Sequence, residues 1–192
     1  MFISIDRREN FEAQHLQKMH TLRAKIFKNK KEWDVNIIAG MEIDGYDALN
    51  PYYMIITSST VEPHVSGCWR ILPTTGPNML AHTFPVLLHG DEAPCSEHIW
   101  ELSRFAIEAP KKSTFNFSDI STTAIRALVE FAMARNISQL VTVTTVGVEK
   151  MLIRLGLDLS RFGPSMKIGV EQAVALKVEL NEHTWRALNS TQ

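Results

Sequence analysis

This chain is poor in the residues that staple, ligate or span. It holds two cysteines, Cys68 and Cys95, among 192 residues. Two thiols make no disulfide framework, and they suit a reducing, cytoplasmic setting. The seven histidines are scattered. They show no His-Glu-x-x-His spacing and there is no Cys-x-x-Cys, so no metal site is expected. No apolar run approaches the ~20 residues that a membrane-spanning helix needs, which argues against membrane insertion. At the start, Phe2-Ile3-Ser4-Ile5 runs straight into Asp6-Arg7-Arg8-Glu9, the wrong order for an export signal. An excess of one charge is missing too. Twenty basic and 21 acidic side chains leave a net charge of −1, so no bulk attraction to nucleic acid is expected. A charged partner must be met by a local patch.

Hydrophobic residues make up 45% of the chain, enough for a proper core, and the length fits one domain over residues 1–192. Residues 2–5 read as a short strand. Residues 10–27 read as a helix with Leu16, Met19, Leu22 and Ile26 along one side, ended by the basic cluster Lys28-Asn29-Lys30-Lys31. Residues 33–51 read mostly as loop, with Asp44-Gly45 a turn signal. Strands are expected at 52–57, 65–72 and within 97–107, and a helical turn or two at 83–89. Phe115-Asn116-Phe117-Ser118-Asp119 leads into the clearest helix, whose stripe is Ile125, Leu128, Val129, Ala132 and Met133, closed by Asn136. A β-branched strand at 140–146 follows, then a helix at 148–155 stopped by Gly156. Gly163-Pro164 is a turn. A last strand lies at 173–180, and Asn181 caps a final helix. The pattern is one α/β domain, helices packed on a largely buried sheet.

Against that apolar background, certain charges stand out. Trp100-Glu101-Leu102-Ser103-Arg104-Phe105 places an acid and a base in a run that reads as a buried strand, where charges must be paired or used. Glu101 and Arg104 differ in parity, so a regular strand points them to opposite faces, and a bulge would bring them to one. Arg70 sits alone inside Cys68-Trp69-Arg70-Ile71-Leu72. Met41-Glu42-Ile43-Asp44-Gly45-Tyr46-Asp47 carries a cluster of acids, and Arg23, Phe27 and Trp33 lie upstream.

The ordered set Arg23, Phe27, Trp33, Asp44, Asp47, Arg70, Phe84, Glu101 and Arg104 resembles the LuxI-type N-acyl-homoserine lactone synthases in residue type and spacing over nearly the whole length. The runs at 42–49, 67–72 and 141–150 resemble those of members that use long 3-oxo-acyl chains. The resemblance implies an αβα sandwich with a mixed, splayed sheet, similar to the GNAT acyltransferases. It implies two substrates, S-adenosylmethionine and an acyl chain on acyl carrier protein, with no separate cofactor. The products would be an acyl-homoserine lactone, methylthioadenosine and free carrier.

On that reading, Glu101, Arg104 and Arg70 are the catalytic candidates. The attacking amine is largely protonated near neutral pH, its ordinary pKa being about 7.7–8.0, and Glu101 is expected to take its proton directly or through a water, with holding an arginine or a substrate group as the competing use. Arg23 and Arg104 are expected to hold carboxylates with their planar forks. Asp44 and Asp47 either orient these arginines or receive the substrate ammonium. Phe27 and Trp33 are placed around the adenosyl and sulfonium groups, with ordinary core packing as the competing use. Arg70 is expected to tie the site together through Glu101 or an aspartate. The acyl walls are expected from Met79, Phe84, Leu102, Ile107, Ile125, Met151, Leu152 and Leu155, most of them serving as plain core as well. Thr142 and Thr144, sharing a strand face with Leu140 and Val146, and also Ser103, are candidates to meet a 3-oxo group. A bond from threonine to nearby backbone is the alternative. Lys150 and Arg154, four apart on one helix, are the candidate dock for the acidic carrier.

Two rivals stand beside this reading. An acyl-CoA-dependent acyltransferase usually shows a basic-x-x-Gly-x-Gly/Ala pyrophosphate loop, and Val146-Gly147-Val148 occupies the corresponding place without it. A non-catalytic lipid- or nucleoside-binding module predicts binding without turnover.

Overall fold

The computed structural model describes residues 1–58, 64–108 and 117–189. The chain packs as two compact units, residues 1–71 with 104–125, and residues 72–103 with 126–192.

In the first unit, β1 (Phe2–Arg7) pairs antiparallel with β4 (Tyr52–Thr57), from Phe2 opposite Thr57 to Arg7 opposite Tyr52. β4 pairs antiparallel with β5 (Val65–Pro73). Strand order continues to β6 (Ile99–Ile107), whose second half belongs here. Helix α1 (Ala13–Ala24) packs on this sheet. Its buried Met19 and Leu22, with Ile26 and Phe27 beyond its end, meet Tyr53, Ile55, Val65, Cys68 and Ala106. The helix expected over 10–27 is shorter and ends in a wide turn, Lys25–Lys30, closed by the Lys31 N–H on the Ile26 carbonyl at 3.1 Å. This widening carries Phe27 into the core. The supposed loop at 33–51 holds a small pair, β2 (Ile37–Ile38) with β3 (Met41–Glu42), and a 3-10 turn, Gly45–Leu49.

Gly67 allows a close approach within this unit. A Cβ there would lie 2.8 Å from Ile56 Cδ1 and 3.3 Å from Ile107 Cγ1.

In the second unit, β6 runs parallel to β7 (Gln139–Thr145), with Ile99 opposite Gln139 and Leu102 opposite Thr142. β7 pairs antiparallel with β10 (Glu171–Glu179), which also holds the short β8 (Leu159–Arg161) and β9 (Met166–Ile168). Neither β8 nor β9 was legible as periodicity, because three residues are too few to show alternation. Helix α2 (Met79–His82), likewise unforeseen, begins at Asn78, whose side chain accepts the Ala81 N–H. A 3-10 turn at Pro85–Leu88 follows. Leu80, Leu87 and Leu88 then pack on Val141, Ala173 and Ala175.

α3 (Phe117–Met133) buries Ile125, Leu128, Val129 and Ala132 as its stripe requires, and Asn136 takes the left-handed conformation that ends it. Phe115 and Asn116, expected to lead into it, lie outside the described residues. α4 (Val146–Arg154) starts two residues earlier than its pattern suggested, because Thr145 caps it through the Val148 N–H. Val146 is therefore helical and does not share a strand face with Thr142 and Thr144. α5 (Glu182–Asn189) is capped by Asn181 as expected.

Candidate active site

The charges singled out in the first unit converge. Arg23, near the end of α1, gives both η nitrogens to Asp47, at 2.8 and 2.9 Å, and its ε nitrogen to Glu42. Arg70, on β5, donates to Asp47 Oδ1 at 2.9 Å and to Asp44. Arg104, on β6, donates to Glu42 Oε1 at 3.0 Å, and its Nη2 lies 2.7 Å from Asp44 Oδ2. Three guanidiniums thus face three carboxylates, and the formal charges cancel. Burial demands that, since an uncompensated charge is costly away from water.

The acidic run is held by its own turn. Asp44 accepts the Tyr46 N–H at 2.9 Å while Asp47 accepts the Asp44 N–H at 2.9 Å, a reciprocal capping box. Asp44 Oδ2 is a buried acceptor with no hydrogen bond among the described residues, its approach to Arg104 lacking hydrogen-bond geometry.

Burial opposes charge on Asp47, but Arg23, by hydrogen bonds and charge, and then Arg70 outweigh it and hold this carboxyl well below the usual range. Burial likewise opposes the Arg23 cation, and Asp47 more than offsets it. Arg104 moves the other way. Burial lowers it, and the Glu42 charge only partly compensates.

Exposure separates the three cations. The side chains of Arg23 and Arg70 are 0% exposed, that of Arg104 is 12% and that of Asp44 is 17%. Arg23, expected to hold a substrate carboxylate, is instead enclosed by Glu42 and Asp47. Arg104 adopts φ +59° within β6, a left-handed conformation that costs a non-glycine residue roughly 1–2 kcal/mol. The strand is therefore irregular at this residue, and the simple parity argument does not apply. Its guanidinium carbon sits 5.7 Å from the centre of the Phe27 ring, and Phe27 stacks on Trp33 at 5.1 Å with the rings 2° from parallel.

Glu42, Tyr53 and His20 belong to this cluster and were missed. The Tyr53 hydroxyl donates to Asp47 Oδ1 at 2.6 Å. His20 Nδ1 lies 2.9 Å from the Glu42 carbonyl oxygen, and burial followed by the Arg23 charge lowers its pKa. Glu42 lay in the run already singled out, two residues before Asp44. A tyrosine in a strand gives no comparable signal.

In the second unit, Glu101 is buried and both its oxygens accept backbone N–H groups, from Met79 at 2.9 Å and Leu80 at 2.6 Å. It thereby satisfies the start of α2. The Thr142 hydroxyl donates to the Leu102 carbonyl at 2.8 Å, where the β6–β7 ladder ends. Its single hydrogen is therefore engaged by backbone. Ser103 is buried and Thr144 half-buried. Met79, Leu102 and Leu152 are buried, and Phe84, Met151 and Leu155 half-buried. Ile107 and Ile125 fall in the first unit, both buried. Lys150 and Arg154 are both exposed on α4, while its Glu149 is buried and paired with Arg161 at 2.5 and 2.6 Å. Among the described residues no group of acids, histidines and cysteines could hold a metal, and no helix is long and apolar enough to cross a membrane.

The profile of the autoinducer synthase family matches residues 7–188. The chain belongs to that family and is an acyltransferase. It is 61% identical, over 98% of its length and 94% of the relative's, to an acyl-homoserine-lactone synthase of Pseudomonas aeruginosa. Its fold matches the crystal structure of the AHL synthase LasI with a TM-score of 0.93, at 59% identity over 98% of this chain and 94% of that one. TofI, solved in a ternary complex with an inhibitor and MTA, matches at 0.84 and 31% identity, over 98% and 97% of the two chains. Lower likenesses show the fold alone. BjaI, a CoA-dependent acyl-homoserine lactone synthase, scores 0.85 at 21% identity, and FeeM, an N-acyl amino acid synthase, 0.64 at 12%. A putative N-acetyltransferase from Lactobacillus plantarum shares the fold at 0.62 and 10% identity, over 94% of this chain and 100% of that one, so the mixed α/β, GNAT-like fold that the resemblance implied is found.

Proposed function

We propose that this chain makes a long-chain 3-oxo-acyl-homoserine lactone from S-adenosylmethionine and acyl carrier protein thioester, as one catalytic domain. The observation that carries the reading is the Arg104–Asp44 edge, the exposed part of an otherwise enclosed ionic network. A guanidinium and an acceptor side by side suit the carboxylate and ammonium of an amino acid. Trp33, half-buried and stacked on the core residue Phe27 beside Arg104, offers aromatic surface to the adenosyl and sulfonium groups.

In the first step the amine nitrogen, once deprotonated, attacks the thioester carbonyl. The C–S bond breaks and the carrier thiol leaves with a proton. Glu101 is the proposed base. In the second step the substrate carboxylate oxygen attacks the carbon bearing the sulfonium, closing the lactone and releasing neutral methylthioadenosine. Positioning is the main requirement there, because the sulfonium is already a good leaving group. The acyl chain is assigned to Met79, Phe84, Leu102, Met151, Leu152 and Leu155, and carrier docking to Lys150 and Arg154. The alternative donor is acyl-CoA.

The test is mass spectrometry of the products formed from S-adenosylmethionine with matched acyl carrier and acyl-CoA thioesters. Lactone, methylthioadenosine and free carrier thiol are expected, with the 3-oxo carrier form preferred. Binding without thiol release would remove the catalytic reading, and equal turnover of acyl-CoA would remove the carrier.

A further inference from the structure

Among the described residues, Asp47 receives five donors. Oδ1 accepts Arg23 Nη1 at 2.8 Å, Arg70 Nη1 at 2.9 Å and the Tyr53 hydroxyl at 2.6 Å. Oδ2 accepts Arg23 Nη2 at 2.9 Å and the Asp44 backbone N–H at 2.9 Å. Tyr53 is the one neutral side chain among these donors. Its ring is fully buried against Met19, Leu22 and Ile55 on the apolar side of the cluster, and the His20 ring meets it edge-on at 6.1 Å. A phenol so enclosed must find a partner, and here the partner is the hub of the network.

We propose that Tyr53 is a positioning residue for the reaction. Its hydroxyl fixes Asp47, and Asp47 in turn fixes the backbone of Asp44 and so the Asp44–Arg104 edge that grips S-adenosylmethionine. The torsion of a carboxylate about its terminal bond is soft. The guanidiniums pull on Asp47 as cations, and Tyr53 adds a third donor to Oδ1 from the hydrophobic core. Without it the carboxylate turns toward the guanidiniums, and the bond from Asp44 N–H to Oδ2 weakens. That bond is half of the capping box that starts the Gly45–Leu49 turn, so Asp44 shifts with it. Substrate grip then suffers more than the chemical step.

This inference rests on the proposed function, and Tyr53→Phe tests it. The variant keeps the ring, its packing and the His20 contact, and deletes one hydroxyl. The KM for S-adenosylmethionine should rise about ten- to hundredfold, the loss expected for one hydrogen bond to a charged group, with kcat and the KM for the acyl donor within about twofold. Ile55→Val, in the same core without a polar contact, should lower the melting midpoint and leave both KM values unchanged. A Tyr53→Phe KM within twofold of the parent, a parallel fall in all constants, or a variant that does not fold would each overturn the positioning role. Absence of turnover in the unaltered chain would overturn the functional reading and this inference with it.

Discussion

Deleting one partner of a buried ion pair strands the other charge, at a typical cost of 3–5 kcal/mol. Asp47 has two guanidinium partners and Glu42 has two, so no member of this cluster is spare. The arginines also divide the work. Arg23 and Arg70 are enclosed and hold carboxylates in place, while Arg104 keeps exposed surface. Charged positions were legible because an acid or base inside an apolar run is costly and therefore conspicuous. Tyr53 and His20 were not, because buried rings in a strand or helix look like any other core residue. Glu101 makes two backbone hydrogen bonds in addition to its proposed proton transfer. Glu101→Gln should leave S-adenosylmethionine affinity within about threefold in a titration and cut turnover by about a hundredfold or more, the usual weight of a general base. Near-parent turnover would assign Glu101 to anchoring α2 alone. For Thr142, whose hydrogen goes to Leu102, Thr142→Val should lower stability by about 1 kcal/mol and leave the ratio of 3-oxo to unsubstituted lactones within twofold. A collapse of that ratio would show that the hydroxyl also meets substrate.

Helices and strands turn these residues into surfaces and ladders. On α4, Glu149, the one acid of that helix, is buried against Arg161, so the helix's exposed charges are the cations Lys150 and Arg154. Exposed pairs of this kind govern encounter and salt dependence more than intrinsic affinity. Lys150→Glu combined with Arg154→Glu should raise the KM for acyl carrier substrates at least tenfold and flatten its dependence on salt. Turnover of a small acyl thioester should stay unchanged. Equal losses on both substrates would mean that α4 had been distorted rather than its proposed docking surface reversed. The strongly periodic α3 and the alternating strands were legible as elements. The wide turn after α1, the short α2 and the strands β8 and β9 were not. The turn is set by where Phe27 packs, and the short elements are held by caps and pairing partners far away in the chain.

For the molecule as a whole, proton linkage makes stability a dome in pH. The folded state lowers the pKa values of His20 and Asp47, so the unfolded chain binds more protons on the acid side. The His20 contribution is intact above an unfolded value of about 6.5 and is lost as pH falls below it. The Asp47 contribution is lost below about 3.9. On the alkaline side burial pushes the Cys68 thiol up to about 12 and raises the Tyr53 phenol, so both stay protonated when folded. Their contributions fade as pH climbs above the unfolded values of about 8.5 and 10. The urea midpoint should therefore be highest between about pH 7 and 8.5 and fall on both sides. A midpoint that is flat from pH 4 to 10, or highest at pH 5, would contradict the assigned shifts. The amino-acid sequence by itself marked most members of the ionic cluster, because an acid or base inside an apolar run is visible in the chain, and its resemblance to the LuxI-type synthases pointed to the family and the reaction class. The tertiary structure decided which guanidinium stays exposed, where the Thr142 hydrogen goes and that Tyr53 joins Asp47. Burial and hydrogen-bond partnership depend on distances in space between residues that lie far apart along the chain.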